Sequence, residues 1–369
     1  MKNKTIWWVL AIILISIVGF SISKQTLSGP EVKVGFILPL TGDAAVYGES
    51  AKKAADLAVS DLEKKNGVKI IPIYEDSQLS PALSASAAHK LVDVDGVKAI
   101  VTFSSGETLS VCPITEAKGI PLFSSGSSPL ISKCGQNTFR NYPSDIYQGK
   151  VLAQKAQALG YKKAFIAYID NDYGKGLEQE FIKNYTGQVV AEAHQAGERD
   201  FRTIVAKIKQ EKPDTIILIS QLAEGSQFLS QLAAQNVFLP ILGSEALKED
   251  ALITKIPKTI AQYLSVTSVS EYSGNEALAF KSEYEEKYHE KYAAFANFVY
   301  DNVGVLGSAL QNCSALQKQN DAGCVSGFVR DTQMTGATGN ISFDEHGDIK
   351  EKPYTLFVIS GDTFVAKGE

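Results

Sequence analysis

From residue 30 onward the apolar positions alternate between two spacings. Residues 32–40 read as a buried strand. Residues 50–65 carry Ala54, Leu57, Ala58 and Leu62 on one helical stripe, and Gly67 ends that run. A strand at 69–74, a helix at 82–94, a strand at 98–103, a helix to about residue 118 and a strand at 120–124 follow. The pattern restarts near Pro143. Helix 146–159 leads to strand 163–169, helix 173–184, strand 188–194 and helix 201–209, where Phe201, Ile204, Val205 and Ile208 share a face. Strand 214–220, helix 226–235 and a short strand at 240–243 complete the second block. Strands that alternate with helices predict a doubly wound α/β fold with parallel sheets, and two such blocks in series predict two lobes. Helices are expected at 276–291 and 295–311, then strands at 341–343 and 354–359. The turn-rich 344–348 between those strands reads as a plain hairpin.

The amino terminus differs from the rest. Lys2 and Lys4 precede an uncharged run from Thr5 to Ser23. A basic start and an apolar stretch read as an export signal. The run spans about 28 Å as a helix, so an uncleaved membrane anchor is the alternative. Either way residues 1–30 are a targeting segment, and the rest is expected to be exported, periplasmic or tethered to the outer face of the membrane. The first cysteine is Cys112, which excludes a lipid-modified cysteine near the start. Four cysteines allow three pairings. Pairing between neighbours, Cys112 with Cys134 and Cys313 with Cys324, is the simplest in an oxidising compartment.

Charge and motifs exclude several function classes. The net charge is −5 and no basic cluster is present, which argues against nucleic acid as a partner. No phosphate loop, dinucleotide fingerprint or nucleophile elbow occurs, so no enzyme, catalytic residue or cofactor is expected. His89, His194, His289 and His346 sit at no metal spacing, in polar surroundings where solvated positions are expected.

Binding chemistry concentrates where the strands end. In open α/β sheets ligands sit beyond the carboxyl ends of the strands. The first strand runs into Leu40-Thr41-Gly42 and then Tyr47-Gly48, the third into Ser104-Ser105-Gly106, and the fourth into Ser124-Ser125-Gly126-Ser127-Ser128. Hydroxyls and free N–H groups at helix starts suit a carboxylate, although such serines also cap helices. The second block offers Asp170-Asn171-Asp172-Tyr173-Gly174 and Gly243-Ser244-Glu245, where Tyr173 can stack and Glu245 can hold an ammonium group.

The opening Val34-Gly35-Phe36-Ile37-Leu38-Pro39-Leu40-Thr41-Gly42 with Tyr47-Gly48 resembles the periplasmic leucine/isoleucine/valine-binding proteins. So do Asp172-Tyr173-Gly174, Gly197-Glu198-Arg199-Asp200-Phe201 and Phe343-Asp344-Glu345-His346-Gly347-Asp348. The resemblance covers about 32–365. It implies a type I periplasmic-binding fold whose two lobes are joined by a three-strand hinge. Residues 31–142 with 271–333 then form one lobe, and 143–270 with 334–369 the other. It assigns a carboxylate-binding serine to Ser104 or Ser105, and a small residue and hydroxyl to Ser127 and Ser128. It assigns site tyrosines to Tyr47 and Tyr173, and an ammonium-binding glutamate to Glu245. Gln221-Leu222 stands where amino-acid binders carry an aromatic residue, which opens the ligand range to amides, urea and aromatic acids. The implied role is delivery of an amino acid or related small molecule to the permease and ATPase subunits of an ABC transporter. The alternative is a ligand-sensing ectodomain that acts through a separate membrane partner.

Overall fold

Five parallel strands organise the first lobe: β1 (Glu31–Leu38), β2 (Lys69–Asp76), β3 (Ala99–Thr102), β4 (Leu122–Ser124) and β5 (Thr138–Arg140), in the order β2-β1-β3-β4-β5. The computed structural model describes residues 31–66, 68–318, 320–350 and 352–367, and the export or anchor segment expected at 1–30 lies outside them. Among the described residues no helix is long and apolar enough to cross a membrane. Parallel neighbours need crossovers, which α1 (Ala45–Asn66), α2 (Pro81–His89) and α3 (Ser105–Lys118) supply. Helices on both faces bury the strands, so Val34, Phe36, Ile37 and Leu38 of β1 are all inside. Local chemistry sets the helix starts. Ser80 caps α2 ahead of Pro81, and Ser104 with Glu107 forms a reciprocal capping box on α3.

The chain then crosses to the second lobe and repeats the plan. Its elements are α4 (Asp145–Ala158), β6 (Lys163–Ile169), α5 (Asp172–Asn184), β7 (Gln188–His194), α6 (Arg202–Glu211), β8 (Thr215–Ile219), α7 (Leu222–Ala234) and β9 (Ile241–Gly243). Two short helices, α8 (Asp250–Lys255) and α9 (Lys258–Ala261), lead to β10 (Leu264–Val269). The parallel order β7-β6-β8-β9-β10 matches that of the first sheet. From β10 the chain returns to the first lobe through α10 (Asn275–Tyr288), α11 (Ala296–Ala315) and α12 (Ala322–Arg330). Gly307 of α11 lies so close to Leu62 of α1 that a Cβ would come within 2.3 Å of it. A hairpin of β11 (Met334–Gly336) and β12 (Gly339–Ile341) follows, then a third crossing to β13 (Tyr354–Ser360) and β14 (Thr363–Ala366). β13 runs antiparallel on the outer edge of β10. The doubly wound two-lobed fold with three connecting strands is therefore as expected. The structure pairs Cys112 with Cys134 and Cys313 with Cys324, with Cα separations of 5.6 and 6.0 Å.

Several expectations need correction. Strands 341–343 and 354–359 are not partners: β12 pairs with β11, and β13 belongs to the second sheet. The turn at 344–348 closes only a single bridge between Phe343 and Ile349, with the Asp344 carboxylate accepting from the His346 and Asp348 N–H groups. The Asp301 carboxylate of α11 accepts from the N–H groups of Ala337 and Thr338, which fastens the hairpin to the first lobe. The third crossing thus lies after the hairpin, later than the boundary at residue 333 read from the sequence. β5, α8, α9, β10, α12, β11 and β14 are not among the elements expected from the spacing. β5 has three residues, and α12 holds two glycines in Ala-Gly-Cys-Val-Ser-Gly-Phe-Val-Arg, so neither carries a clear period. His194 is not solvated. It is 3% exposed, its Nε2 lies 3.2 Å from Ser220 Oγ, and burial lowers its pKa.

Candidate ligand-binding cleft

The carboxyl ends of both sheets face one another across a pocket lined by residues of both lobes. The same local device aims a tyrosine from each lobe. Tyr47 and Tyr173 sit in the first turns of α1 and α5, and each is followed by glycine. A Cβ on Gly48 would lie 1.9 Å from the Pro39 carbonyl oxygen, and one on Gly174 1.9 Å from that of Ile169. Only glycine lets these helix starts press against the ends of their own strands.

The first lobe supplies the donor end. The Ser105 hydroxyl oxygen accepts from the N–H groups of Ser127 (3.2 Å) and Ser128 (3.1 Å), so its remaining capacity is its O–H. The first turn of α3 starts at Ser105 on the cleft lining and carries the positive end of the helix dipole. Ser104 is committed to its cap, and Glu107 returns its carboxylate to the N–H groups of Phe103 (2.9 Å) and Ser104 (2.5 Å). The Ser127 hydroxyl donates to Asp145 at 3.1 Å, which leaves it only lone pairs to offer a further partner. Beneath these loops Arg140 is fully buried. It donates to the carbonyls of Ser127 (3.0 Å) and Ser128 (2.8 Å), and its Nε donates to Asp348 at 2.8 Å.

The second lobe supplies the acceptor end. Glu245 is 3% exposed and accepts from the Tyr173 hydroxyl at 3.1 Å. Burial pushes its carboxyl up to about 7, against the hydrogen bonds from Gln148 and Tyr173. Burial and then the charge of Glu245 raise Asp145 well above the usual carboxylate range, against the Ser127 bond and Arg140. Asp145 Oδ1 and Gln148 Oε1 have no protein partner. The nearby guanidinium is already paired with Asp348, so this end favours a positive charge.

An apolar wall lies between the two ends. The Phe295 ring meets Phe103 edge-on at 5.6 Å and Tyr142 at 5.3 Å, and Leu79 lies beside them. Among the described residues no group of three or more His, Cys, Asp or Glu is placed to hold a metal ion.

The structure brings Ser104, Ser105, Ser127, Tyr173, Gln221 and Glu245 to the lining of the cleft. It does not bring Tyr47 or Ser128 there. Ser128 is buried and caps a short 3₁₀ turn by accepting from the Leu130 N–H. The Tyr47 hydroxyl spans the lobes and donates to the Ala246 carbonyl at 3.0 Å. A second contact between the lobes is the Arg199–Asp43 ion pair at 2.5 Å, so the cleft is shut. The sequence reading missed Phe103, Tyr142, Asp145 and Phe295. Tyr142 follows the unread β5, and Phe295 lies in a loop. Phe103 was visible, because it ends the third strand just before the serines.

Residues 31–363 match the profile of a family described as periplasmic binding protein. A Leu/Ile/Val-binding protein of Rhizobium johnstonii is 26% identical over 366 residues, covering 94% of this chain and 96% of its own. One of Citrobacter freundii is 26% identical over 357 residues, covering 94% and 95%. Among solved structures, a leucine binding protein LivK of Thermotoga maritima matches with TM-score 0.85 at 24% identity, covering 91% of this chain and 98% of its own. LivJ of Streptococcus pneumoniae, in complex with isoleucine, matches at 0.82 and 25%, with the same coverage. A solute binding protein of R. palustris in complex with benzoate matches at 0.83 and 21%, covering 92% and 96%. The chain belongs to the periplasmic binding protein family, the family of the Leu/Ile/Val-binding proteins, and it works by binding rather than by catalysis.

Proposed function

We propose that the protein, once exported, captures a zwitterionic amino acid with an apolar side chain in the cleft and presents it to the permease of an ABC transporter. The carrying observation is the opposed polarity of the cleft. The Ser105 hydroxyl and the start of α3 suit a carboxylate, and the buried Glu245 beside Tyr173 suits an ammonium group. The rings of Phe103, Tyr142 and Phe295 suit an apolar side chain. The names of the curated relatives support the same class of ligand. Closure over the ligand gives a permease an outline that differs from that of the open protein.

Calorimetry with leucine, 4-methylpentanoate (the same skeleton without the amine) and benzoate tests the reading. Leucine is expected to bind at least tenfold more tightly than either acid. Equal or tighter binding of 4-methylpentanoate or benzoate refutes it, because the acceptor end then reads no ammonium.

A further inference from the structure

Another side chain crosses between the lobes, outside the cleft wall. Glu249 occupies the position just before α8, and its side chain makes no hydrogen bond to that helix. Instead its Oε1 accepts the Ala294 N–H, on the loop that leads into α11 of the first lobe, at 2.5 Å. The next residue is Phe295, with φ +72°. A bulky residue in the left-handed region persists only where its surroundings fix it. On one side the fixing is internal to the first lobe: the Ala293 N–H donates to Ser50 Oγ at 2.9 Å, which itself lies 2.9 Å from the Tyr284 hydroxyl. Ala294 is fixed from the opposite lobe. The adjacent Asp250–Lys291 pair, at 3.5 Å, joins the same two surfaces.

The Phe295 ring touches Tyr142, Phe103 and Tyr47 and lines the cleft. Glu249 therefore acts on the cleft through a backbone N–H and a strained residue, without lining the cleft itself. When the lobes part, the Ala294 N–H loses its acceptor on the second lobe, while Ser50 and the rings of Tyr47, Phe103 and Tyr142 still hold the loop from within the first. We propose that Glu249 is a positioning residue for ligand selection: by gripping Ala294 only when the lobes meet, it sets the Phe295 ring against the ligand's side chain and couples closure to the shape of the apolar wall. This rests on the reading of the ligand as an amino acid held between the lobes.

The test has an arm without ligand and an arm with it. Both native cysteine pairs are bonded, so cysteines introduced as Asp43→Cys and Arg199→Cys give the only free thiols. A short bis-thiol cross-linker then holds the cleft shut. Hydrogen exchange at the Ala294 amide is expected to slow at least tenfold on cross-linking. Glu249→Ala is expected to abolish that protection, and Glu249→Gln, which keeps a carbonyl acceptor, to retain most of it. Protection that is equal in cross-linked Glu249 and E249A proteins overturns the proposal, as does equal protection with and without the cross-linker.

In the second arm, leucine and alanine are titrated into proteins without the added cysteines. E249A is expected to weaken leucine binding at least fivefold more than alanine binding. An equal loss for both makes Glu249 a plain closing contact and overturns its role in selection. If neither amino acid binds the unmutated protein, the reading of the ligand fails, and the exchange arm still decides whether Glu249 places this loop.

Discussion

Replacing Tyr47 with phenylalanine removes one oxygen and keeps the ring against Phe103 and Phe295. That oxygen carries the hydrogen bond to the Ala246 carbonyl across the lobes, and both residues are buried where the lobes meet. In the shut form, loss of the donor leaves a buried carbonyl unpaired, which costs about 1–3 kcal/mol. With the lobes apart the carbonyl meets water and the cost vanishes. Tyr47→Phe should therefore shift the equilibrium toward the open form by roughly 5- to 140-fold, at about 1.4 kcal/mol per tenfold. A ligand that binds the shut form must supply that difference, so its dissociation constant should rise by the same factor. Calorimetry with leucine gives the affinity, and small-angle scattering gives the closure. A dissociation constant within twofold of the original, with closure still seen, refutes the role of this hydroxyl in shutting the cleft.

Glu245→Gln keeps the shape of the acceptor end and removes its charge. Leucine binding should weaken by about 1.5–3 kcal/mol while 4-methylpentanoate loses little, and calorimetry that finds equal losses contradicts the ammonium assignment. Acid should act in two directions. With the Glu245 carboxyl pushed up to about 7, leucine affinity should fall as pH drops below about 7, by up to about tenfold per unit, because the site must first lose a proton. The ligand-free protein should gain stability from this group over the same descent, toward the ordinary value of 4.5, because the folded form binds the proton more tightly than the unfolded chain. Glu245→Gln should flatten the affinity trend and lessen the stability gain, the rest of which comes from Asp145 and Glu249, also raised by burial. Arg140→Met should cost about 3 kcal/mol or more in urea unfolding, since it strands Asp348 and two carbonyls, and a cost below about 1 kcal/mol contradicts that role.

Most of the parallel strands and their helices were legible because their signals are local. β1 and β8 are apolar runs of strand length, and α6 shows its buried face as Val205 and Ile208 one turn apart. The serine-rich strand ends and the two Tyr-Gly pairs were legible for the same reason, since a strand end and a helix start fall within a few residues of one another. The charged and aromatic parts of the site were not. Arg140 meets Asp348 across 208 residues, and Tyr47 meets Ala246 across 199. Those contacts exist only because β5 and the 344–348 turn, or the two lobes, are brought together by other elements. Phe295 sits in a loop with no period, and its left-handed backbone is fixed by Ser50 and Glu249 from distant parts of the chain. Ser128 shows the reverse case. Its sequence context is that of its neighbour Ser127, yet a 3₁₀ turn directs its hydroxyl inward to Leu130. Hydrophobic spacing and turn chemistry act over a few residues, so the two-lobed α/β plan and the polar strand ends can be read along the chain. Which hydroxyls face the cleft, which acids share it and which residues join the lobes depends on burial and pairing between segments far apart in the chain, and is settled only when those segments fold together.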